Sequence, residues 1–300
     1  MYQYLNLQSK VFLVVSLMAL CIAFLLASSA NAPNFLFLIV MIAIFGVPHG
    51  ALDTLFAQQA FELNSVQRWA KFVAIYLLLS LLVFTFWLLF PTIFFIGFLA
   101  FSALHFADDI AHIRPSTLSI LYGMNIILLP SIFQTNHLMT LYGYLIEQAD
   151  ALILLKWMQP IAIIAASVTL IVLFFKKSQI ELHHKIDIVS VSALMLFIHP
   201  LLAFTIYFCL MHSARHIIRS KFFFIALSNQ RFILMLLVPT GAVLVFCLFA
   251  FANMPANQLD ENLIKVTFVM LAALTFPHAF LLIKVGFIKS VNSVTSFEST

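Results

Sequence analysis

Five of the ten histidines in this chain, His49, His105, His212, His216 and His278, stand inside apolar stretches long enough to cross a membrane. Their contexts are FGVPHGALD, FSALHFADD, CLMHSARHI and TFPHAFLL. An ionisable ring at bilayer depth is costly, so it faces a protein interior and by default marks a functional site. Imidazole suits iron, copper, nickel and zinc. His212 and His216 form an HxxxH pair, one helical turn apart on the same face. With His49 and His105 from two other helices they compose a four-nitrogen metal site, and His278 is either a further ligand or a group behind the ligands. Asp53, four residues after His49, and Asp108 and Asp109, just after His105, are acceptors that could fix an imidazole tautomer or offset the charge of a metal. Taken singly, each residue has a plainer reading. A lone intramembrane histidine can hydrogen-bond the next helix, Asp53 can be a buried polar partner, and Asp108 and Asp109 can mark the membrane surface.

The elements that must position these rings follow from composition. The 300 residues are 64% hydrophobic and 9% charged, with a mean hydropathy of +1.10; a soluble domain carries about 25% charge. Seven glycines and no repeated ten-residue alternation argue against a β-barrel. Helices are then what satisfies the backbone in lipid. The expectation is an all-α integral membrane protein, a polytopic bundle of 8–10 transmembrane helices over residues 1–300 with no separate soluble domain. The net charge of +4 is spread over connecting segments, which reads as topology and excludes nucleic-acid binding. Cys21, Cys209 and Cys247 lie in apolar runs without a CxxC pair and read as buried small hydrophobes.

Ten helices are expected, near 11–30, 34–57, 70–90, 92–112, 116–134, 152–175, 186–199, 200–218, 232–253 and 262–284. Pro33, Pro91, Pro115 and Pro200 stand near helix starts, where a missing N–H is tolerated. Residues 176–187 read as an extramembrane loop and 136–151 as an amphipathic surface helix. His137, His183, His184 and His199 then fall in loops or turns, and His112, beside Arg114, near a helix end. The positive-inside rule favours ten crossings with both termini cytoplasmic, counting Arg215 and Arg219 among the inner-face charges. On those boundaries His49, His105, His212 and His278 share one depth, roughly 9–12 Å below the inner helix ends.

Thirty-four phenylalanines add an aromatic element. Phe101 and Phe106 crowd the helix bearing His105, and Phe204 and Phe208 precede His212 on its side of that helix. Where they share a face with histidine they could line a tunnel for a long planar apolar substrate, with Tyr207, Tyr122 or Tyr142 as a further lining or gating group that the sequence does not select. Most of the other phenylalanines should meet lipid or neighbouring helices.

At GVPHGALD, SALHFADD, YFCLMHSARH and PHAF the sequence resembles the Brp/Blh family of membrane β-carotene 15,15′-dioxygenases, and the motifs span most of the chain in order. The resemblance implies a non-haem Fe(II) enzyme of the cell (inner) membrane that cleaves β-carotene, or a related carotenoid, at its central double bond with O₂ to give all-trans-retinal. The family is associated with rhodopsins, so the resemblance also offers a rhodopsin as a partner to which the product could pass. The family's iron ligands carry over onto His49, His105, His212 and His216. Two positions depart from the pattern. Ala107 replaces a common glycine, which would narrow the cavity, and Ala214 replaces a common proline. Competing chemistries are weaker: a di-iron desaturase needs further histidine boxes, a b-type haem protein needs two facing histidines, and a metal transporter needs acidic residues along its path.

Overall fold

The computed structural model describes residues 1–25, 35–110, 116–175, 180–253 and 259–287. Among them the secondary structure is helical, without strands. Helix α1 (Tyr2–Leu25) leads to a span built of α2 (Phe35–Met41), a π-turn (Ile42–Gly46), α3 (Pro48–Ala51) and α4 (Asp53–Phe61). There follow α5 (Val66–Leu89), α6 (Pro91–Ala107), α7 (Thr117–Leu128), α8 (Pro130–Phe133), α9 (Thr135–Gly143), α10 (Gln148–Phe175) and α11 (Leu182–Phe197). Another interrupted span comprises α12 (Pro200–Tyr207), a second π-turn (Phe208–Ser213) and α13 (Ala214–Phe223), before α14 (Asn229–Ala252) and α15 (Leu259–Lys284).

Seven of the described helical runs are long and apolar enough to cross a membrane, and an eighth if α7–α8 and α9 count as one bent span. The chain is thus a multi-pass membrane protein. At 17 residues, α6 is near the lower limit for a crossing. Lipid explains the outer surface: α5 has no buried residue, and Leu77, Leu81 and Leu88 are exposed along it. The breaks have local causes. Pro48, Pro91, Pro130 and Pro200 open their helices, Ser65 accepts from Arg68 N at 3.3 Å, and Ser116 and Ser119 form a capping box. Pro33, Pro115, His112 and Arg114 lie outside the described residues.

Several expectations change. The expected surface helix at 136–151 is divided: α9 turns 109° away from α7–α8 and buries Leu138, Leu141 and Tyr142 against the bundle. The expected loop at 176–187 already enters α11 at Leu182 and buries Asp187. Cys209 is buried but Cys21 is exposed. Arg215 is not an inner-surface charge; it is 2% exposed inside the bundle.

α6 and α7 approach closely because Gly123 has no side chain. A Cβ there would sit 1.9 Å from the Ala103 carbonyl oxygen and 3.0 Å from Ala107 N. Ala107 belongs to this helix contact.

Candidate metal centre

Each histidine reaches the centre from a differently built element. His49 is in the four-residue α3, immediately after a π-turn; His105 is in the last turn of α6; His212 lies within the second π-turn; His216 is on α13; His278 is on α15. π-turns insert one extra residue into a helical ladder and recur at functional sites. The two here pack on each other. Gly46 permits that contact, since a Cβ would lie 2.5 Å from the Phe208 ring. Ser213 Oγ donates to Phe45 O at 2.8 Å and Gly46 O at 3.1 Å, bridging the first π-turn to the second.

The five rings form a closed circuit. Centroids are 4.8 Å apart for His105–His212, 5.1 Å for His212–His49, 5.6 Å for His49–His216, 5.1 Å for His216–His278 and 5.5 Å for His278–His105. His49 also meets His278 at 5.2 Å. Ligand atoms of His49, His105 and His278 all lie within 4.8 Å of one another.

Three rings are oriented through Nδ1. His49 Nδ1 donates to Gly46 O at 2.5 Å. A carbonyl oxygen only accepts, so the proton sits on Nδ1 and the Nε2 lone pair is free. His212 Nδ1 is 3.0 Å from Asp109 Oδ1, and His278 Nδ1 is 2.5 Å from Asp53 Oδ1. The carboxylates are themselves held: Tyr207 Oη donates to Asp109 at 2.6 Å and Tyr76 Oη to Asp53 at 2.7 Å. On the inner side, Nε2 of His105, His212, His216 and His278 is buried and has no hydrogen-bond partner among the described residues. Orphaned buried nitrogens cost free energy unless something binds them. A divalent cation fits this donor set; porphyrin does not, because rings in edge contact leave no slot for a macrocycle.

A polar brace stands behind the centre. Arg215 Nε and Nη2 donate to Gln8 Oε1 at 3.1 and 2.9 Å, Nη2 also to Ser9 Oγ at 2.9 Å and Asp187 Oδ2 at 2.8 Å, and Nη1 to Asp109 O at 3.0 Å. Arg219 donates to Asp108 O and Asp109 O at 2.9 and 2.8 Å, so two arginines from α13 cap the end of the helix that carries His105. Gln8 Nε2 donates to Leu210 O at 2.7 Å, inside the π-turn that holds His212. α1 therefore holds the chain on both sides of His212, at Leu210 in the π-turn and at Arg215 in α13.

An apolar cavity leads away from the rings, with about 940 Å³ of empty space including its open mouth. His49 and His105 stand at one end. Its walls are stripes at helical spacing: Phe95, Phe98, Leu99, Ser102 and Phe106 on α6; Leu201, Phe204 and Phe208 on α12 and its π-turn; Ile264, Phe268, Leu271 and Thr275 on α15.

The structure thus brings together His49, His105, His212, His216 and His278, with Asp53 and Asp109 behind them. The ring that Asp53 meets is His278. The structure differs from the sequence expectations in several particulars. Asp108 does not join the site through its carboxyl, which burial, then Asp109, raises to about 7 against the opposing effect of Arg219. Phe106, Phe204 and Phe208 line the cavity, but Phe101 does not; it stacks on Phe276 at 4.3 Å. Tyr207 is fully buried against Asp109 and is not a wall residue. Ala107 does not border the cavity. The equal distance from helix ends also fails: α6 stops two residues after His105, whereas the span carrying His212 continues to Phe223. His137, His183 and His184 are helical, and His137 packs on His199 at 4.6 Å, apart from the cluster. Gln8, Tyr76 and Asp187 were missed. Only Asp187 left a sequence signal, an acid beside a long apolar run.

The sequence matches the beta-carotene 15,15′-dioxygenase family over residues 40–284. The chain belongs to that family. A protein of the uncultured marine bacterium 66A03, named Beta-carotene 15,15′-dioxygenase, is 25% identical over 262 residues, which cover 81% of this chain and 91% of that one. No solved structure matches the chain significantly. α1, with Gln8 and Ser9, lies before the matched stretch.

Proposed function

We propose that this protein cleaves β-carotene, or a closely related carotenoid, at the central 15,15′ double bond with O₂, giving two molecules of all-trans-retinal. Both oxygen atoms of O₂ enter the two aldehydes, so the reaction balances without an external reductant. The observation that carries the reading is a cluster of five buried imidazoles, two of which, His49 and His105, line one end of an apolar cavity, in a member of this family. His49, His105, His212, His216 and His278 would hold Fe(II). When bound, the iron supplies the redox chemistry that lets O₂ react with a polyene double bond.

The residues themselves perform the rest. Gly46 O, Asp109 and Asp53 keep their imidazoles protonated at Nδ1 and turned inward. The phenylalanine and leucine walls take up a flat apolar chain and exclude water from it. Ser102 and Thr275, near the ring end of the stripes, are among the few polar groups on the walls. An ion-transport reading is disfavoured by the same lining, which contains no carboxylate. Residence in the cell (inner) membrane and delivery of retinal to a rhodopsin both rest on the sequence resemblance alone.

The test is expression in a carotene-accumulating bacterial host, followed by extraction and chromatography. Retinal should form as carotene disappears, and chelation of iron from the purified protein should abolish turnover until Fe(II) is returned. Intact carotene beside an iron-loaded, folded protein would overturn the proposal.

A further inference from the structure

The lining of the cavity joins His49 and His105 to a cluster of α9 residues packed on the far ends of the wall stripes, at Phe95, Leu201 and Ile264. On α6 the lining extends from His105 back to Phe95, ten residues, or ~15 Å at 1.5 Å per residue. The stripes on α12 and α15 run the same way, each reaching its histidine at the C-terminal end. Across the opposite end lies α9, brought there by its 109° turn. Leu138, Leu141 and Tyr142 face the cavity from α9, all three buried, and Tyr142 packs edge-on against Phe95 at 4.8 Å. The middle of the wall is looser: Leu99, Phe204, Phe268 and Leu271 are only half-buried.

We infer that α9 is a ruler: the end ring of the carotenoid rests on Leu138, Leu141 and Tyr142, and the distance from that floor to the histidines selects the bond that is cleaved. The lengths agree. A trans bond of ordinary length advances an extended chain by ~1.2 Å, so ~15 Å holds about twelve bonds, counted along α6. That is close to the reach from the central double bond of β-carotene across its terminal ring. The other half of the substrate needs no matching enclosure. A second apolar pocket, between the first π-turn and α14–α15, shares Leu271 with the cavity and faces outward. Register is therefore set from one end, not by centring a symmetric molecule.

This inference rests on the proposed carotenoid cleavage, and the experiment separates the two. The unmodified protein is given β-carotene and, separately, a shorter apocarotenal that keeps one terminal ring. A ruler releases retinal from both, because the bond is counted from the ring. Cleavage of the shorter substrate at its own midpoint would overturn it. Leu141→Ala and Tyr142→Leu deepen the floor, so unequal apocarotenals should rise from trace to at least about a tenth of total product, while Leu138→Phe should shift the cut toward the enclosed ring. Equal halves from all three variants, at no less than half the normal rate, would also sink the ruler. No cleavage of either substrate by the iron-loaded protein would instead remove the activity on which it rests.

Discussion

Arg215 gives the sharpest test of how the centre is held. Its guanidinium is 2% exposed, and its partner Asp187 is fully buried. Arg215→Met removes five hydrogen bonds and leaves Asp187 with one remaining donor, Ser9 Oγ at 3.2 Å; Asp187 Oδ1 has no partner among the described residues. Stripping one member from a buried ion pair costs about 3–5 kcal/mol, because the surviving charge is uncompensated. Asp187→Leu should cost less, since Arg215 keeps Gln8, Ser9 and Asp109 O as acceptors. The double variant Arg215→Met/Asp187→Leu should recover roughly 1–4 kcal/mol of the loss. Reversible denaturant titration in detergent measures all four proteins, and metal analysis follows in parallel. Bound metal should remain low in the double variant, since Gln8 still lacks its donor and the Asp109 carbonyl keeps only Arg219. If the double variant is no more stable than Arg215→Met, the two charges are not coupled and the brace is misread.

Three further outcomes are expected. His278→Ala should lower bound metal as far as His105→Ala does, measured by elemental analysis of purified protein; near-normal metal content would place His278 outside the ligand set. Asp53→Ala and Asp109→Ala should each weaken metal affinity by about 10–100-fold in chelator competition, because each frees one imidazole to rotate. Gly46→Ala should cost about 1–3 kcal/mol through the clash with Phe208, and Phe208→Leu should restore part of it; an unchanged denaturation midpoint for Gly46→Ala would show that the π-turns can separate freely.

The helices and the histidines were legible because both are statements about polarity. Long apolar runs announce spans, and an imidazole within one has nowhere to face but inward. Register along the chain was not legible. Nothing in IAIFG or FCLMHS distinguishes a π-turn from an ordinary helical turn, since the extra residue is fixed by packing between the two spans and by Ser213. Arg215 looked topogenic because a basic residue near a helix end usually is; its burial depends on Gln8 and Asp187, 207 and 28 residues away. The pairing of Asp53 with His278 crosses 225 residues, so the sequence offered an acceptor without naming its ring. Phe101 was misplaced by crowding: a helix dense in phenylalanine does not show by composition which side meets the substrate.

The first helix has a meaning that the family boundary hides. A chain trimmed to residues 40–284 would keep every histidine and both orienting aspartates, yet it would lose the amide and hydroxyl that meet the Arg215 guanidinium. The wound would open at the rear of the site, among residues that do not line the apolar cavity. Grafting or minimising this enzyme therefore has to begin at its N-terminus, where no imidazole occurs before His49.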